Sequence, residues 1–153
     1  ALNAPATLAR SNGYEAMIYD SERGTAYEYA DGLIVRRSPA KRISQSGNTA
    51  DKHPLWMAAD AKRAMASGKP VYLIEGEKDV GTLRALGYAA VTAAGGGGNF
   101  AAKLDLDSAR LALSGADVVA IVDKDDTGTR WKEQVAQTLT PFVRSLTFIQ
   151  AAG

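Results

Sequence analysis

Cysteine is absent from these 153 residues, histidine occurs once, and no apolar run is long. Without cysteine there are no disulfides and no thiolate metal sites. A reducing, cytoplasmic compartment is the matching expectation. His53, with no second imidazole or thiol to join it, reads as a structural residue and not as a metal ligand or catalytic base. No run approaches the roughly 18 apolar residues that span a bilayer, so no membrane partner is expected. No basic-then-apolar leader opens the chain, so secretion is not expected. No glycine-rich phosphate loop ending in Gly-Lys-Ser/Thr occurs either, which argues against an ATPase of that type. The first residue is Ala1, not Met, as expected for a piece of a longer protein.

What is present suits one ordinary domain, or one domain with a small appendage. Apolar residues make up 46%, enough for a substantial core. The net charge is only +1, but it is divided unevenly. Basic residues predominate in the first half of the chain and concentrate in Arg36, Arg37, Lys41 and Arg42. Such a cluster has two readings: a solvated hairpin, or an edge that contacts phosphates. Lys62 and Arg63 on a following helix are the next basic candidates.

Two patterns succeed one another along the chain. Residues 1–13 read as a loose lead-in. Residues 14–46 then read as antiparallel β structure, with strands over 16–19, 25–29, 33–37 and 41–45. The turn Asp20-Ser21-Glu22-Arg23-Gly24 separates the first two, with Gly24 able to take a positive φ. Asp31-Gly32 marks the next turn and Ser38-Pro39 the third. Residues 46–53 read as a loop, and an alanine-rich helix is expected over 57–67, stopped by Gly68 and Pro70. From residue 71 strands and helices alternate: strands at 71–74, 89–93, 118–122 and 143–149, helices at 78–86, 105–114 and 127–139. That alternation predicts a parallel α/β sheet flanked by helices.

Two acidic clusters end two of these strands. Val71-Tyr72-Leu73-Ile74 runs into Glu75-Gly76-Glu77-Lys78-Asp79, and Val118-Val119-Ala120-Ile121-Val122 runs into Asp123-Lys124-Asp125-Asp126-Thr127-Gly128. Unbroken aliphatic runs of this length read as strands buried on both faces. Ligand chemistry in open α/β sheets gathers at the carboxyl ends of such strands. If the two strands are neighbours, Glu75, Asp123 and Asp125 converge, and carboxylates that close are best tolerated around a hard cation such as Mg²⁺. Asp79 and Asp126 are further metal candidates, although helix N-terminal charge explains them equally well. Glu77 reads as solvated. Lys78 and Lys124 could contact phosphate or offset the local negative charge. Gly95-Gly96-Gly97-Gly98 is either a mobile loop near nucleic acid or a passive linker. Trp131 reads as packed in the core.

The ordered pair, a strand ending in Glu75 and a later strand ending in Asp123-Lys124-Asp125 with Gly128 nearby, resembles the Toprim domain of bacterial-type primases, topoisomerases and certain nucleases. The likeness covers about residues 70–150. Tyr19-Asp20 through Gly24, Val35-Arg36-Arg37 and Lys41-Arg42-Ile43-Ser44-Gln45 are similar to the β-rich lead segment of phage- and plasmid-type primase–helicases. The resemblance implies a β-rich N-terminal subdomain over 1–69, with hairpins and a linking helix, and a Toprim catalytic domain over 70–153. It implies a DNA primase of a phage or mobile element that makes RNA primers from nucleoside triphosphates on a single-stranded DNA template. Mg²⁺ or Mn²⁺ would be the cofactor and a fused or separate replicative helicase the partner. In that scheme Glu75, Asp123 and Asp125 are catalytic and metal-binding. Arg36, Arg37, Lys41, Arg42, Lys62, Arg63, Lys78 and Lys124 meet nucleic acid. The chain departs from complete primases in having no cysteine ligands for a zinc module. The alternatives are a Toprim nuclease and a non-catalytic nucleic-acid-binding module.

Overall fold

The computed structural model of the chain describes residues 15–95, 97–123 and 126–150. The lead-in over 1–13 lies outside them, as do Lys124 and Asp125. The fold is mixed α/β, with two four-stranded sheets. The first is antiparallel, β1 (Ala16–Asp20), β2 (Gly24–Glu28), β3 (Leu33–Arg37) and β4 (Ile43–Gly47), paired in chain order. Helix α1 (Ala58–Ala66) leads to β5 (Val71–Leu73), α2 (Glu77–Ala85) and β6 (Ala90–Val91). A 3₁₀ turn (Gly97–Asn99), a short helix α3 (Phe100–Lys103) and α4 (Leu106–Leu113) follow, then β7 (Asp117–Val122), α5 (Asp126–Leu139) and β8 (Ser145–Gln150). The second sheet is parallel throughout, in the order β6-β5-β7-β8. Among the described residues no helix is long and apolar enough to cross a membrane.

Local chemistry fixes the hairpins. Asp20 Oδ1 accepts from the backbone N–H groups of Glu22 and Arg23, closing the first turn. Gly24 has φ 88°, and a Cβ there would stand 2.0 Å from the Arg37 carbonyl oxygen, so only glycine fits. The fourth strand starts two residues later than its sequence suggests. Ser38 Oγ accepts from the Arg42 N–H and the Ser38 carbonyl accepts from Lys41, so Lys41 (φ 64°) and Arg42 belong to the turn. Ser46 and Gly47, expected in a loop, complete β4.

The parallel sheet has cores on both sides. Val71, Leu73, Val118, Ala120 and Val122 face a cluster with Phe100, Leu113, Trp131, Val135 and Leu139. Ile74, Val80, Ala90 and Ala94 belong to a second cluster with Tyr27, Tyr29, Leu33 and Val35 of the antiparallel sheet. Trp56 sits in that second cluster, wholly buried. Its ring N–H donates to the Glu28 carbonyl at 3.0 Å, and its backbone N–H donates to the Thr92 carbonyl at 2.7 Å. Tyr27 meets the indole edge-on at 5.3 Å. Trp131 is likewise packed, edge-on to Phe100. Truncation of Trp56 to alanine leaves a cavity where the two sheets meet, and should cost about 3–5 kcal/mol. Urea unfolding of the variant measures it directly.

Candidate active site at the carboxyl edge of the parallel sheet

Strands β5 and β7 are hydrogen-bonded neighbours, in the register Val71↔Val118, Tyr72↔Val119 and Leu73↔Ala120. Adjacent strands lie about 4.8 Å apart. Glu75 and Asp123 follow the ends of these two strands, so both residues lie at the same edge of the sheet. Glu75 is half-buried and its Oε1 is shielded from water. Asp123 is exposed. Gly76 is extended, and a Cβ added there would meet nothing within 4 Å. Asp125 and Lys124 lie outside the described residues, as does the side chain of Asp126. Among the described residues no group of three acidic or imidazole side chains stands close enough to hold a metal ion.

Helix α2 begins immediately after Gly76, and its first turn carries Glu77 and Asp79. Asp79 and Lys78 are exposed. Glu77 is not solvated as its sequence suggests: its Oε2 accepts a 2.6 Å hydrogen bond from the Tyr29 hydroxyl. Tyr29 is buried, just past the end of β2. The antiparallel sheet is thereby tied to the loop that presents Glu75. Burial pushes the Tyr29 hydroxyl well above the usual tyrosine range, and the negative charge of Glu77 adds to it. Tyr27 is raised by the same causes, burial first and then Glu77, while the charge of Arg37 acts in the opposite sense.

The basic residues are not one patch. Arg36 pairs across β2 with Ala26, and Arg37 with Thr25. Neighbours in a strand point to opposite faces, so the two arginines diverge. The electrostatics agree: Arg36 acts on Asp20, Arg37 on Tyr27. Arg37 therefore shares the face that carries Tyr27, toward Glu77 and Asp79. Lys41 and Arg42 are exposed at the β3–β4 turn. Lys62 and Arg63 are exposed on α1, and Arg63 stands at the amino edge of the parallel sheet, beside Lys69, Pro70 and Ala89. The structure does not bring it to Glu75 and Asp123.

Within the glycine run, Gly96 lies outside the described residues. Gly95 takes φ 89° in a turn, and Gly97–Asn99 winds into the 3₁₀ helix. Gln134 of α5 clamps it, accepting from the Ala101 N–H at 2.9 Å and donating to the Gly98 carbonyl at 2.5 Å. A lone glutamine on a helix carries no sequence signal for such a role. His53 is buried, and its Nδ1 lies 2.6 Å from Asp31 Oδ2.

Comparison with protein-family models, with curated proteins and with solved structures finds no match for this chain.

The Tyr29 contact has a pH signature. Its pKa is higher folded than unfolded, so its contribution to stability is fully present below about pH 10, the unfolded value. Above that the unfolded state loses its proton first, and the contribution disappears as pH rises through the folded value. Wild-type stability should therefore fall above pH 10, and Tyr29→Phe should be less stable at pH 7 by about 1.5–3 kcal/mol with a flatter alkaline limb. Denaturant midpoints between pH 8 and pH 11 test both.

Proposed function

We propose that this chain is the catalytic core of a primase-type Toprim enzyme, a metal-dependent nucleotidyltransferase that builds RNA primers on single-stranded DNA. The observation that carries this reading is the parallel pairing of β5 with β7, which sends Glu75 and Asp123 off adjacent strands at one edge. Ligand sites in open α/β sheets collect at that edge. The donor set fits a hard cation, because both side chains offer carboxylate oxygens, one of them exposed and the other beside open space at Gly76. Mg²⁺ is commonly held by one or two carboxylates, with waters and substrate phosphates completing its shell. Glu75 and Asp123 would hold it, joined by Asp125 from the sequence motif. When bound, Mg²⁺ or Mn²⁺ supplies neutralisation of phosphate charge in phosphoryl transfer.

The chain's own residues supply the rest. Glu75, with one oxygen shielded from water, is the group to take a proton from an attacking 3′-hydroxyl, or to serve as a ligand. Gly76 leaves room for the nucleotide to approach the backbone. Arg37, on the face turned toward α2, brings positive charge for the template phosphates, with Lys41 and Arg42 extending it at the adjacent turn. A nuclease would use the same carboxylates, so the assay decides between synthesis and cleavage.

The test is primer synthesis from nucleoside triphosphates on single-stranded DNA with Mg²⁺ or Mn²⁺. Glu75→Gln, Asp123→Asn and Asp125→Asn should each lower the rate by about 10²–10⁴-fold with the fold intact by circular dichroism. Strand cleavage without synthesis would assign the nuclease instead, and binding without turnover the non-catalytic module. Template binding gives a separate check. Arg37→Ala should flatten the log–log salt dependence of affinity by roughly 0.7, whereas Arg36→Ala, on the other face, should leave it unchanged. A titration across salt concentrations reads both slopes.

A further inference from the structure

The geometry points to a second ligand site, for a nucleotide unit, in a cleft at the amino edge of the parallel sheet, opposite Glu75 and Asp123. The cleft has a volume of about 840 Å³ and lies between the last turns of α1 and α2, the entry to β5 and the turn before β6. That volume is within the range of small-molecule sites. Small residues make the room: Ala64, Gly81, Ala85 and Ala89 line it. A Cβ at Gly81 would stand 3.2 Å from Met17 Sδ, so the methionine tip packs closely over that glycine.

Two kinds of chemistry meet in this cleft. The first is aromatic. Tyr88 is about half exposed and stands edge-on to Tyr72 at 5.4 Å, so the pair is braced while Tyr88 keeps a surface toward solvent. The second is cationic. Asp60, itself mostly shielded, is shared by two guanidiniums: Arg63 on one oxygen, and Arg84 Nε on the other at 2.5 Å. Two arginines against one carboxylate leave a positive charge, and Lys69 adds another. Cations in the last turn of a helix complement its macrodipole, which accounts for Arg63 and Arg84 being basic. Arg63 meets Asp60 as an i,i+3 neighbour on α1, but the dipole does not account for Arg84 reaching from α2 to the same carboxylate, in a cleft that also holds an exposed aromatic ring. A shared Asp60 holds both side chains in place before any ligand arrives, lowering the ordering cost of binding. A stacking surface next to ordered cations is the chemistry that takes a base and its phosphate. Free nucleotides and single-stranded DNA both offer that unit. The site is independent of the metal-dependent reading of the carboxyl edge.

The experiment titrates the intact chain, without divalent cation, with ATP, with a short oligothymidylate and with inorganic phosphate, following backbone amide shifts by NMR. Shifts at Gly87, Tyr88 and Ala89 with ATP identify a free nucleotide as the source, and shifts there with the oligonucleotide identify the polymer. Tyr88→Ala and Lys69→Ala change exposed side chains, so both should fold. Loss of the aromatic platform should weaken binding by about tenfold, and Lys69→Ala should weaken it and reduce its salt dependence. The proposal is overturned if neither nucleotide nor oligonucleotide shifts those amides. Inorganic phosphate binding as tightly as ATP, or Tyr88→Ala binding like wild type, overturns it too.

Discussion

Trp56 is held from three directions, and the arrangement of the two sheets depends on it. Its indole N–H bonds the end of β2, its backbone N–H bonds the chain just past β6, and its ring fills the space between Tyr27, Tyr29 and the second face of the parallel sheet. A buried indole N–H left without a partner costs on the order of 1–3 kcal/mol. The Glu28 carbonyl therefore fixes not only that Trp56 is buried but how it is turned. One side chain thus sets where the antiparallel sheet lies against β5, β6 and α2. The short β5, three residues long, and the shorter β6 make few ladder bonds of their own. Much of their order comes from being packed on both faces.

The site inherits its position from that packing. Glu75 stands between a strand that the core fixes and a helix whose first turn is tied by Glu77 to Tyr29. Both ends of the loop are anchored by contacts from different layers. The loop itself keeps open space at Gly76. Supports from two layers therefore restrain the backbone on both sides of Glu75. On the other side, Gln134 holds the Gly98 carbonyl and the Ala101 N–H against α5, the helix that follows Asp123. Tertiary bonds near this edge thus run through polar side chains as well as apolar packing.

The elements were largely legible in the sequence, because each apolar run is short, bounded by glycine or proline and of one period. Strands β1, β2, β3 and β7 and helices α1, α2, α4 and α5 fall within a residue or two of where periodicity puts them. The β3–β4 turn was misjudged because Lys41 takes a positive φ, which a lysine does not advertise. The α3 helix was missed, being four residues long and held by Trp131 and Gln134 rather than by its own propensity. The neighbouring carboxylates were legible only on the condition that β5 and β7 pair, and that pairing is a property of the sheet order, not of either strand. The partner of Glu77 could not be read at all. Its sequence context is a charged helix start, and Tyr29 becomes its donor only when the second sheet folds against α2.

The two edges of the parallel sheet then differ for a reason built into the architecture. In a parallel α/β layer every helix following a strand starts at the carboxyl edge and ends at the amino edge. Helix N-termini carry partial positive charge and C-termini partial negative charge. At the carboxyl edge the first turn of α2 receives Glu77 and Asp79, which offset its dipole, and Tyr29 occupies one of those carboxylates. Glu75 lies before the helix, beyond that compensation, and Asp123 stands exposed on the neighbouring strand. Both carboxylates thus lie outside the first turn of α2 that Glu77 and Asp79 serve. At the amino edge the order reverses. Arg63 and Arg84 offset the ends of α1 and α2 and are further drawn together by Asp60, with Lys69 in excess. The same dipole argument thus accounts for acidic side chains at the helix starts of one edge and basic side chains at the helix ends of the other, so the two ends of one small sheet differ in the sign of the side chains that serve its helices.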